Sequence, residues 1–376
     1  MKCLIYADNA ATTKLDIDAF EAMKPYLLDE YGNASQPYSF SRIPKKALQE
    51  ARQIIASCIN ADPAEIYFTS GGTEGDNWAI KGTAFFAQER KAIITTAFEH
   101  HAVLRACESI ERMGYPIAYV TPNSSGYVTK EALESIITPH TLLVSVMMSN
   151  NEIGTIQPIK ELAELAHSNG ALFHTDAVQC VGHLPIDVKA LDIDMLSASA
   201  HKFNGPKGVG FLYIKRGVQI APLLNGGSQE SGHRAGTENI AAIVGMAVAL
   251  KKNCAELVSN SNYISKLENA LIDALTKEEI IFHRNGEGAT VPGNMSLSFP
   301  GYEGETLLHR LDLMGIQVST GSACDSVNTQ ISHVLQAIQV DEKAALGTIR
   351  ISLGKENTMD DVMAIVKALS KIMKTQ

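Results

Sequence analysis

Two ionisable residues stand where predicted strands end, and together they could do chemistry. Asp176 follows the apolar run 171–175, and Lys202 follows the apolar run 195–199, just before the glycine- and proline-rich turn 204–208. A lysine amine can hold an aldehyde as a Schiff base. A carboxylate can keep a pyridine nitrogen protonated, so that the ring accepts electrons. This pair is what an enzyme dependent on pyridoxal phosphate needs.

Each of these residues alone has a more ordinary explanation. A lysine before a glycine-proline turn is usually a solvated loop residue. An aspartate at the end of a strand is usually a helix cap or a turn former. Only the combination of Asp176 and Lys202 with the features that follow favours the chemical interpretation.

The segment 69–74, Thr-Ser-Gly-Gly-Thr-Glu, is a candidate anion site because it follows one predicted strand and opens a predicted helix. Glycines there let the backbone approach a ligand closely, while free amides and the helix dipole favour an anion. An ordinary strand-to-helix turn with a serine or threonine cap is the alternative. Beside a Schiff-base lysine, the segment becomes a good site for a cofactor phosphate.

Two further side chains follow predicted strands. His100 comes after the run 92–96 and could stack on an aromatic ring and shuttle protons. The adjacent His101 points in a different direction, so the two histidines are not expected to bind one metal ion, and no metal site is predicted. Asn151 follows the run 142–148, where it could form a turn or bind a ring hydroxyl or a substrate carboxylate.

Arg350 and Cys324 stand out by their surroundings. Arg350 lies inside an apolar strand-like run, where it needs a partner, and bidentate binding of a carboxylate fits its geometry. Cys324 ends the small-residue segment 319–324, which favours an accessible thiol able to react as a thiolate. The other cysteines are scattered without a Cys-x-x-Cys pair, which argues against a disulfide framework or a zinc site.

Bulk properties limit the classes of protein to consider. A chain of 376 residues is long enough for two domains, and 45% hydrophobic with 19% charged residues is an ordinary globular balance. The net charge of -9 provides no electrostatic footprint for nucleic acid or an anionic membrane. The N-terminal apolar stretch is too short for a signal peptide, and the run 240–250 is too short to span a bilayer. A cytoplasmic location is therefore expected.

Strand-like and helix-like segments alternate through the first two thirds of the chain. The strand candidates are apolar runs without polar alternation, as expected for strands covered on both faces: 66–69, 92–96, 117–121, 142–148, 171–175, 195–199 and 209–214. Amphipathic stretches such as 129–137 and 159–168 separate several of them. The pattern predicts an α/β fold with a mainly parallel seven-stranded sheet flanked by helices. Ligands bind beyond the carboxyl ends of such strands.

The pattern changes after a predicted helix over 239–257. The remaining elements predict a smaller α+β domain: helices at 262–275, 305–314 and from 359, and strands at 281–283, 295–299, 316–319 and 348–352. No internal repeat and no low-complexity linker separates the two parts.

Ordered motifs along nearly the whole chain resemble the cysteine desulfurases of the NifS/IscS type. This group belongs to the class V aminotransferases, which are pyridoxal phosphate enzymes of fold type I. The motifs that carry the resemblance are 6–13, 70–74, 99–101, 150–154, Asp176 with Gln179, 201–202, 234–237, 321–324, 332–335 and the strand around Arg350.

The resemblance implies a role for each matching residue. Lys202 would bind the cofactor, Asp176 would meet its pyridine nitrogen, and His100 would stack on its ring and take part in catalysis. The remaining implied contacts are Gln179 and Asn151 around the ring hydroxyl, Gly72, Thr73, Ser199 and His201 on the phosphate, Thr237 from a second subunit, and Arg350 with Asn151 on the substrate. A homodimer is therefore expected.

The resemblance also implies domains and an activity. Residues 15–257 would form the large domain, and residues 1–14 with 258–376 the small domain that carries Cys324. L-cysteine would become L-alanine, with its sulfur held as a persulfide on Cys324. An acceptor protein would then take the sulfur for iron–sulfur clusters, thio-cofactors, tRNA or DNA phosphorothioation. A selenocysteine lyase, a β-lyase and an aminotransferase on the same scaffold are the enzymatic alternatives, and a scaffold protein without activity is the other.

The spacing from Cys324 to 332–335 resembles the long loop of the NifS/IscS branch and differs from the shorter loop of SufS-type enzymes. Three positions depart from the family pattern. Asp325 replaces a threonine, Ile331 replaces a proline, and Tyr38 stands where histidine is common. An anion at Asp325 would raise the pKa of the neighbouring thiol. These departures bear on the partner and the rate more than on the type of reaction.

Overall fold

The computed structural model describes residues 4–87, 89, 91–321 and 331–374. The strands within these ranges are β1 Ile5–Tyr6, β2 Ile66–Thr69, β3 Ala92–Thr96, β4 Ile117–Val120, β5 Thr141–Ser145, β6 Leu172–Asp176, β7 Met195–Ser199, β8 Gly210–Ile214, β9 His283–Asn285, β10 Asn294–Ser298, β11 Ile316–Gln317 and β12 Thr348–Ser352. The α-helices are α1 Ile17–Leu28, α2 Arg42–Cys58, α3 Gly72–Phe86, α4 His101–Glu111, α5 Lys130–Glu134, α6 Ile159–Ser168, α7 Ile240–Ala255, α8 Leu257–Lys277, α9 Gly304–Leu313, α10 His333–Ala337, α11 Glu342–Leu346 and α12 Met359–Met373.

The large sheet has seven strands in the order β2-β8-β7-β6-β5-β3-β4. Strand β8 is antiparallel to both of its neighbours, β2 and β7. The other four pairings are parallel. The predicted mainly parallel seven-stranded sheet is therefore confirmed.

Successive residues of these strands enter cores on opposite faces of the sheet. Leu143 and Met195 pack on one face with α3 and α4, whereas their neighbours Val144 and Leu196 pack on the other face with α2, α6 and α7. Successive side chains of a strand point to opposite faces of the sheet. Because helices cover both faces, the side chains on each face must be apolar. This is why the strands appear in the sequence as continuous apolar runs.

A third core lies apart from the large sheet. It joins Ile5 and Ala7 to apolar side chains between residues 264 and 372. The strands there form an antiparallel sheet in the order β12-β10-β9, and a parallel pair of β1 with β11. The division into residues 15–257 and residues 1–14 with 258–376 stays a prediction. Its boundary falls at the junction of α7 and α8, which only Glu256 separates.

Several predicted boundaries were wrong. Helix α8 begins at Leu257, five residues before the predicted start at 262, since neither glycine nor proline marks a break there. The strand predicted at 281–283 is β9, which begins at His283, and Ile281 is exposed. The helix predicted over 129–137 ends at Glu134. Helices α1, α2 and α4 had not been predicted.

No helix among the residues that the structure describes is both long enough and apolar enough to cross a membrane.

The segment that carries Thr237 is attached to the large sheet by one buried carboxylate. Glu230 accepts hydrogen bonds from Nη1 and Nη2 of Arg52 at 2.8 and 2.6 Å, and from the Phe68 amide at 2.9 Å. Glu230 and Ser231 have φ angles of 47° and 58°, which residues with a side chain rarely adopt. The three bonds therefore offset a strained backbone.

We expect Glu230→Ala to lower the free energy of unfolding by about 3 kcal/mol, because Arg52 would lose its partner in a poorly solvated site. Equilibrium urea unfolding measures the change. The matched control is Glu21→Ala, which breaks an exposed pair with Lys24 and should cost less than about 0.5 kcal/mol. Equal costs for the two variants would show that Glu230 does not anchor the segment.

Candidate cofactor and substrate site

The candidate site lies at the edge of the large sheet where the strands end. Strands β2 and β7 run in the same direction because both are antiparallel to β8. The last residues of β2, β6 and β7 (Thr69, Asp176 and Ser199) therefore share one edge with the ends of β3 and β5. A cavity of about 530 Å³ opens there, a size usual for cofactor and ligand sites.

Most of the predicted site residues meet in this cavity. Its lining includes Gly72, Thr73, His100, Asn151, Asp176, Gln179, Ser199, His201, Lys202 and Arg350. Thr237 is exposed and does not line the cavity of its own chain. Cys324 and Asp325 lie outside the described residues. Among the other departures, Tyr38 is exposed and Ile331 packs against the large core.

Lys202 projects from a short 3₁₀ turn that directly follows β7. Its Nζ donates hydrogen bonds to the carbonyl oxygens of Ala10 and Ala11 at 2.5 and 2.9 Å. The backbone of Thr13 in turn donates to the His201 carbonyl at 2.9 Å. The motif 6–13 thus lies against the lysine, which explains its place among the ordered motifs of the sequence.

Asp176 is a buried carboxylate at the end of β6, with only 5% of its surface exposed. Its Oδ1 accepts the Val178 amide at 2.9 Å. Burial raises the pKa of Asp176, whereas His100 and Lys202 act in the opposite direction. A cation bound inside the cavity would stabilise the ionised form, and a protonated pyridine ring is such a cation.

His100 presents a largely neutral ring to the cavity. Its Nδ1 accepts the Ala102 amide at 3.1 Å, which caps α4 and leaves the proton of the neutral ring on Nε2. Burial is the main reason that the pKa of His100 lies below its ordinary value, although Asp176 counteracts it. A neutral imidazole can stack on an aromatic ring without bringing a second positive charge beside a pyridinium.

The turn before α3 has the shape of an anion cradle. Gly71 has a φ of 149°, and a Cβ on Gly72 would lie 2.5 Å from Cγ2 of Val178. Helix α3 begins at Gly72, so its first amides and its dipole face the cavity. Burial and then Lys202 lower the pKa of the nearby His201 to about 4, which makes that imidazole neutral at pH 7. With Asp176 buried at the other end, the cavity fits both the phosphate and the ring nitrogen of pyridoxal phosphate.

Arg350 is buried in β12 and lines the cavity, but the chain itself supplies a partner. Its Nη2 lies 2.7 Å from Oδ1 of Asp8, and its Nη1 donates to the Asn151 carbonyl at 2.9 Å. Its Nε has no hydrogen-bond partner within the described part of the chain. The predicted binding of a substrate carboxylate would therefore take place beside a carboxylate that is already present.

Five acidic residues in or beside the site had been given no role from the sequence: Asp8, Glu74, Asp76, Glu99 and Glu152. Glu152 accepts the Ser332 hydroxyl at 2.6 Å, and a Cβ on Gly321 would lie 2.9 Å from its Oε2. His333 Nε2 donates to the Glu99 carbonyl at 2.9 Å. Glutamates are seldom buried, so a single sequence offers no signal for such contacts.

Comparison with known proteins identifies the class to which this arrangement belongs. The family model for class V aminotransferases matches residues 5–365, and the chain belongs to this family. Within it, the chain is a member of the cysteine desulfurases of the NifS/IscS type. The cysteine desulfurase IscS of Methanosarcina thermophila is 46% identical over 371 residues, which cover 98% of this chain and 92% of the relative.

Two solved structures resemble the whole fold. A NifS-like protein superposes with a TM-score of 0.94 at 38% identity, and the match covers 100% of both chains. SspA in complex with cysteine superposes with a TM-score of 0.85 at 35% identity, over 94% of this chain and 100% of that one. The predicted fold type I and its cofactor, pyridoxal 5′-phosphate, are confirmed by the family.

We expect Gly71→Ala to weaken cofactor affinity by about tenfold, because the backbone conformation of Gly71 is open essentially to glycine alone and costs a residue with a side chain about 1–3 kcal/mol. The strain is relieved when the turn leaves its cradle shape, so binding must overcome it. Absorbance titration of the apo-protein with pyridoxal phosphate measures the affinity.

The matched control for Gly71→Ala is Gly170→Ala. Gly170 has a φ of 77° with open space around it, and it precedes β6 at the opposite edge of the sheet. That variant should lose stability but keep its cofactor affinity. If both variants lost affinity equally, the effect would come from general destabilisation and the cradle would not explain it.

Proposed function

We propose that the chain is a cysteine desulfurase that converts L-cysteine to L-alanine and captures the sulfur as a persulfide on Cys324. The proposal depends mainly on one observation: ten of the residues predicted from the family motifs line a single cavity. Its near full-length relatives are named cysteine desulfurases, and a structural neighbour is in complex with cysteine. Those names favour desulfuration over the β-lyase, aminotransferase and selenocysteine lyase alternatives.

The residues of the cavity would hold the cofactor at both ends. Gly72, Thr73, Ser199 and His201 would bind its phosphate, where helix α3 begins. Asp176 would bind the ring nitrogen, and Gln179 and Asn151 the region of the ring hydroxyl. Lys202 would hold the aldehyde. When bound, the cofactor withdraws electrons from the substrate α-carbon and so makes its proton acidic.

Arg350 and Asn151 would orient the substrate, while Lys202 and His100 would move its protons. The Arg350 guanidinium would bind the α-carboxylate, assisted by the Asn151 side chain. Lys202, on the turn after β7, would hold the aldehyde before the substrate binds, and its Nζ would then be the base that takes the α-proton. The imidazole of His100 would lie over the ring and exchange a proton through its Nε2.

Cys324 would take the sulfur. Its thiolate attacks the substrate Sγ, so an S–S bond forms while the Cβ–Sγ bond breaks and leaves its electron pair on carbon. Protonation of that carbon gives the methyl group of alanine, and Cys324 keeps the sulfur as a persulfide. A role for this residue is supported by its reactive sequence context and by its position in the family motif 321–324.

The cavity would be completed across a homodimer. Arg234 forms a bidentate ion pair with Glu74, at 2.7 and 3.0 Å, directly beside the anion cradle. Burial disfavours ionisation of Glu74, but Arg234 and the Ser70 amide outweigh it, so the pKa of Glu74 lies below its ordinary value. Thr237, three residues later, is exposed, and we propose that it binds the phosphate in the second subunit.

The persulfide would then pass to a thiol of an acceptor protein, an iron–sulfur cluster scaffold or a thiolation enzyme. The cytoplasmic location expected from the sequence is part of the same proposal. Neither nucleic acid nor membrane is proposed as a direct partner.

We expect Cys324→Ala to bind pyridoxal phosphate and L-cysteine normally but to lose alanine production, because no thiolate remains to take the sulfur. Alanine and sulfide are measured with a reductant present, and the visible spectrum reports cofactor and substrate binding. Lys202→Ala is the companion variant and should lose the borohydride-reducible chromophore. Alanine formation by Cys324→Ala at the wild-type rate would contradict the role of Cys324, and pyruvate as the main product would indicate a β-lyase.

Mixing an inactive variant with a weakened one tests the shared site. In a heterodimer of Lys202→Ala with Thr237→Ala, one cavity combines an intact lysine with an intact threonine from the other chain. Subunit exchange between the two variants should therefore give more activity than the two homodimers show together. If mixed dimers formed without any gain, Thr237 would act within its own subunit or not at all.

A further inference from the structure

A second buried aspartate lies beside the proposed cofactor site. Asp76 belongs to the second turn of α3, is only 1% exposed and lines the same cavity as Asp176. Its Oδ1 has no hydrogen-bond partner within the described part of the chain. One ligand atom each of Asp76, Asp176 and His100 lie within 4.8 Å of one another. Two carboxyl groups thus approach one end of the cavity.

The groups that face Asp76 offer it no positive charge of its own. On β6, His174 Nε2 lies 3.7 Å from Asp76 Oδ1. The hydroxyls of Ser145 and Ser197 occupy both ring nitrogens of His174, at 2.8 and 3.0 Å, and burial lowers its pKa to about 3. His174 is therefore neutral.

The remaining ionisable neighbours do not compensate Asp76 either. Burial raises the pKa of Glu99 to about 8, so Glu99 contributes no cation and is itself mostly neutral at pH 7. Lys202 directs its Nζ to the carbonyls of Ala10 and Ala11. The ring of His100 carries little charge, because burial lowers its pKa. An ionised Asp76 would remain an uncompensated buried anion.

Asp176 is the better place for the single negative charge. Its Oδ1 accepts the Val178 amide at 2.9 Å, and the positive charge of Lys202 favours its ionised form. For Asp76, by contrast, burial and then repulsion from Asp176 raise the pKa well above its ordinary value, and the Ser197 hydroxyl only partly offsets them. Two carboxyl groups at this separation cannot easily both ionise.

We propose that Asp76 is a positioning residue that works as a protonated, neutral carboxylic acid, leaving Asp176 as the only negative charge opposite the ring nitrogen of the cofactor. This proposal rests on the proposed role of Asp176. A neutral Asp76 fills the space beside Asp176 with a polar group, so that neither water nor a second anion competes for the ring proton. Asparagine has nearly the same shape and no charge, so it imitates this state.

The first test uses apo-protein and needs no cofactor. If Asp76 is protonated in the folded state, unfolding releases its proton at any pH above the ordinary value of 3.8, so its contribution to stability falls as the pH rises. Asp76→Asn has no such proton to release, so its stability does not fall for this reason. Urea unfolding at pH 4 to 7 should therefore show Asp76→Asn gaining stability relative to wild type as the pH rises. Asp273→Asn, an exposed aspartate of α8, should show no such trend.

The second test compares the two aspartates in holoenzyme. Asp76→Asn should bind pyridoxal phosphate within about threefold of wild type, and the ring nitrogen should titrate at the wild-type pH. Asp176→Asn should weaken binding by more than about tenfold, which is about 1.4 kcal/mol. The visible spectrum measures both as a function of pH.

Three outcomes are informative. Two results together would show that Asp76 is an anion and would overturn the proposal. In the first, the stability difference between Asp76→Asn and wild type does not change with pH. In the second, the cofactor ring nitrogen of Asp76→Asn loses its proton at a lower pH than that of wild type. If wild type fails to bind pyridoxal phosphate, the proposed function fails, yet the apo-protein trend still reports whether the pair of Asp76 and Asp176 holds a proton. If Asp76→Asn does not fold, the infrared band of a buried carboxylic acid decides, measured in wild type with ¹³C-labelled aspartate so that the band of Glu99 is separated, and its absence overturns the proposal.

Discussion

The site depends on one electrostatic constraint: the Asp176 carboxylate lies in the protein interior and forms no ion pair with any residue that the structure describes. A buried charge is stable only if a partner compensates it, so the position of Asp176 dictates what surrounds it. The Val178 amide supplies one hydrogen bond, and Lys202 supplies a positive charge from a distance. These groups compensate the negative charge of Asp176 only in part, and a protonated pyridine ring can supply the missing positive charge. Affinity for the cofactor and the pKa of the carboxyl group therefore have the same physical cause.

The antiparallel strand β8 brings the two ends of the cofactor site together. Since β8 reverses direction between β2 and β7, the turn after β2 and the turn that carries Lys202 reach the same edge of the sheet. The backbones of these segments are closely packed. A Cβ on Gly210 would come too near to both the Ala198 carbonyl and the Cα of Gly71. The phosphate cradle thus packs closely against β8, the strand that follows the lysine.

The sequence predicts the fold and the contents of the cavity well, and the pairing of charges poorly. Strands with both faces buried are continuous apolar runs, and the ligand edge follows from the carboxyl ends of those strands. That is why Asp176 and Lys202 could be assigned together, whereas Ser199 was implied only by the family resemblance. The pair of Arg350 with Asp8 joins residues 342 positions apart, and no local pattern encodes such a contact. Burial of Asp76 and Glu152 is equally invisible, since acidic residues on a helix or in a turn are usually solvated.

The N-terminal segment 8–13 links the two halves of the site. Asp8 pairs with Arg350 of β12, and Asn9 donates to the Ser352 carbonyl at 2.9 Å. Two residues further on, the carbonyls of Ala10 and Ala11 hold the amine of Lys202. The group proposed to bind the substrate carboxylate and the group proposed to take its α-proton are therefore held by one short stretch of backbone. A shift of this segment would move both groups, so the separation of the arginine from the lysine is set here as well as by the packing of the two cores.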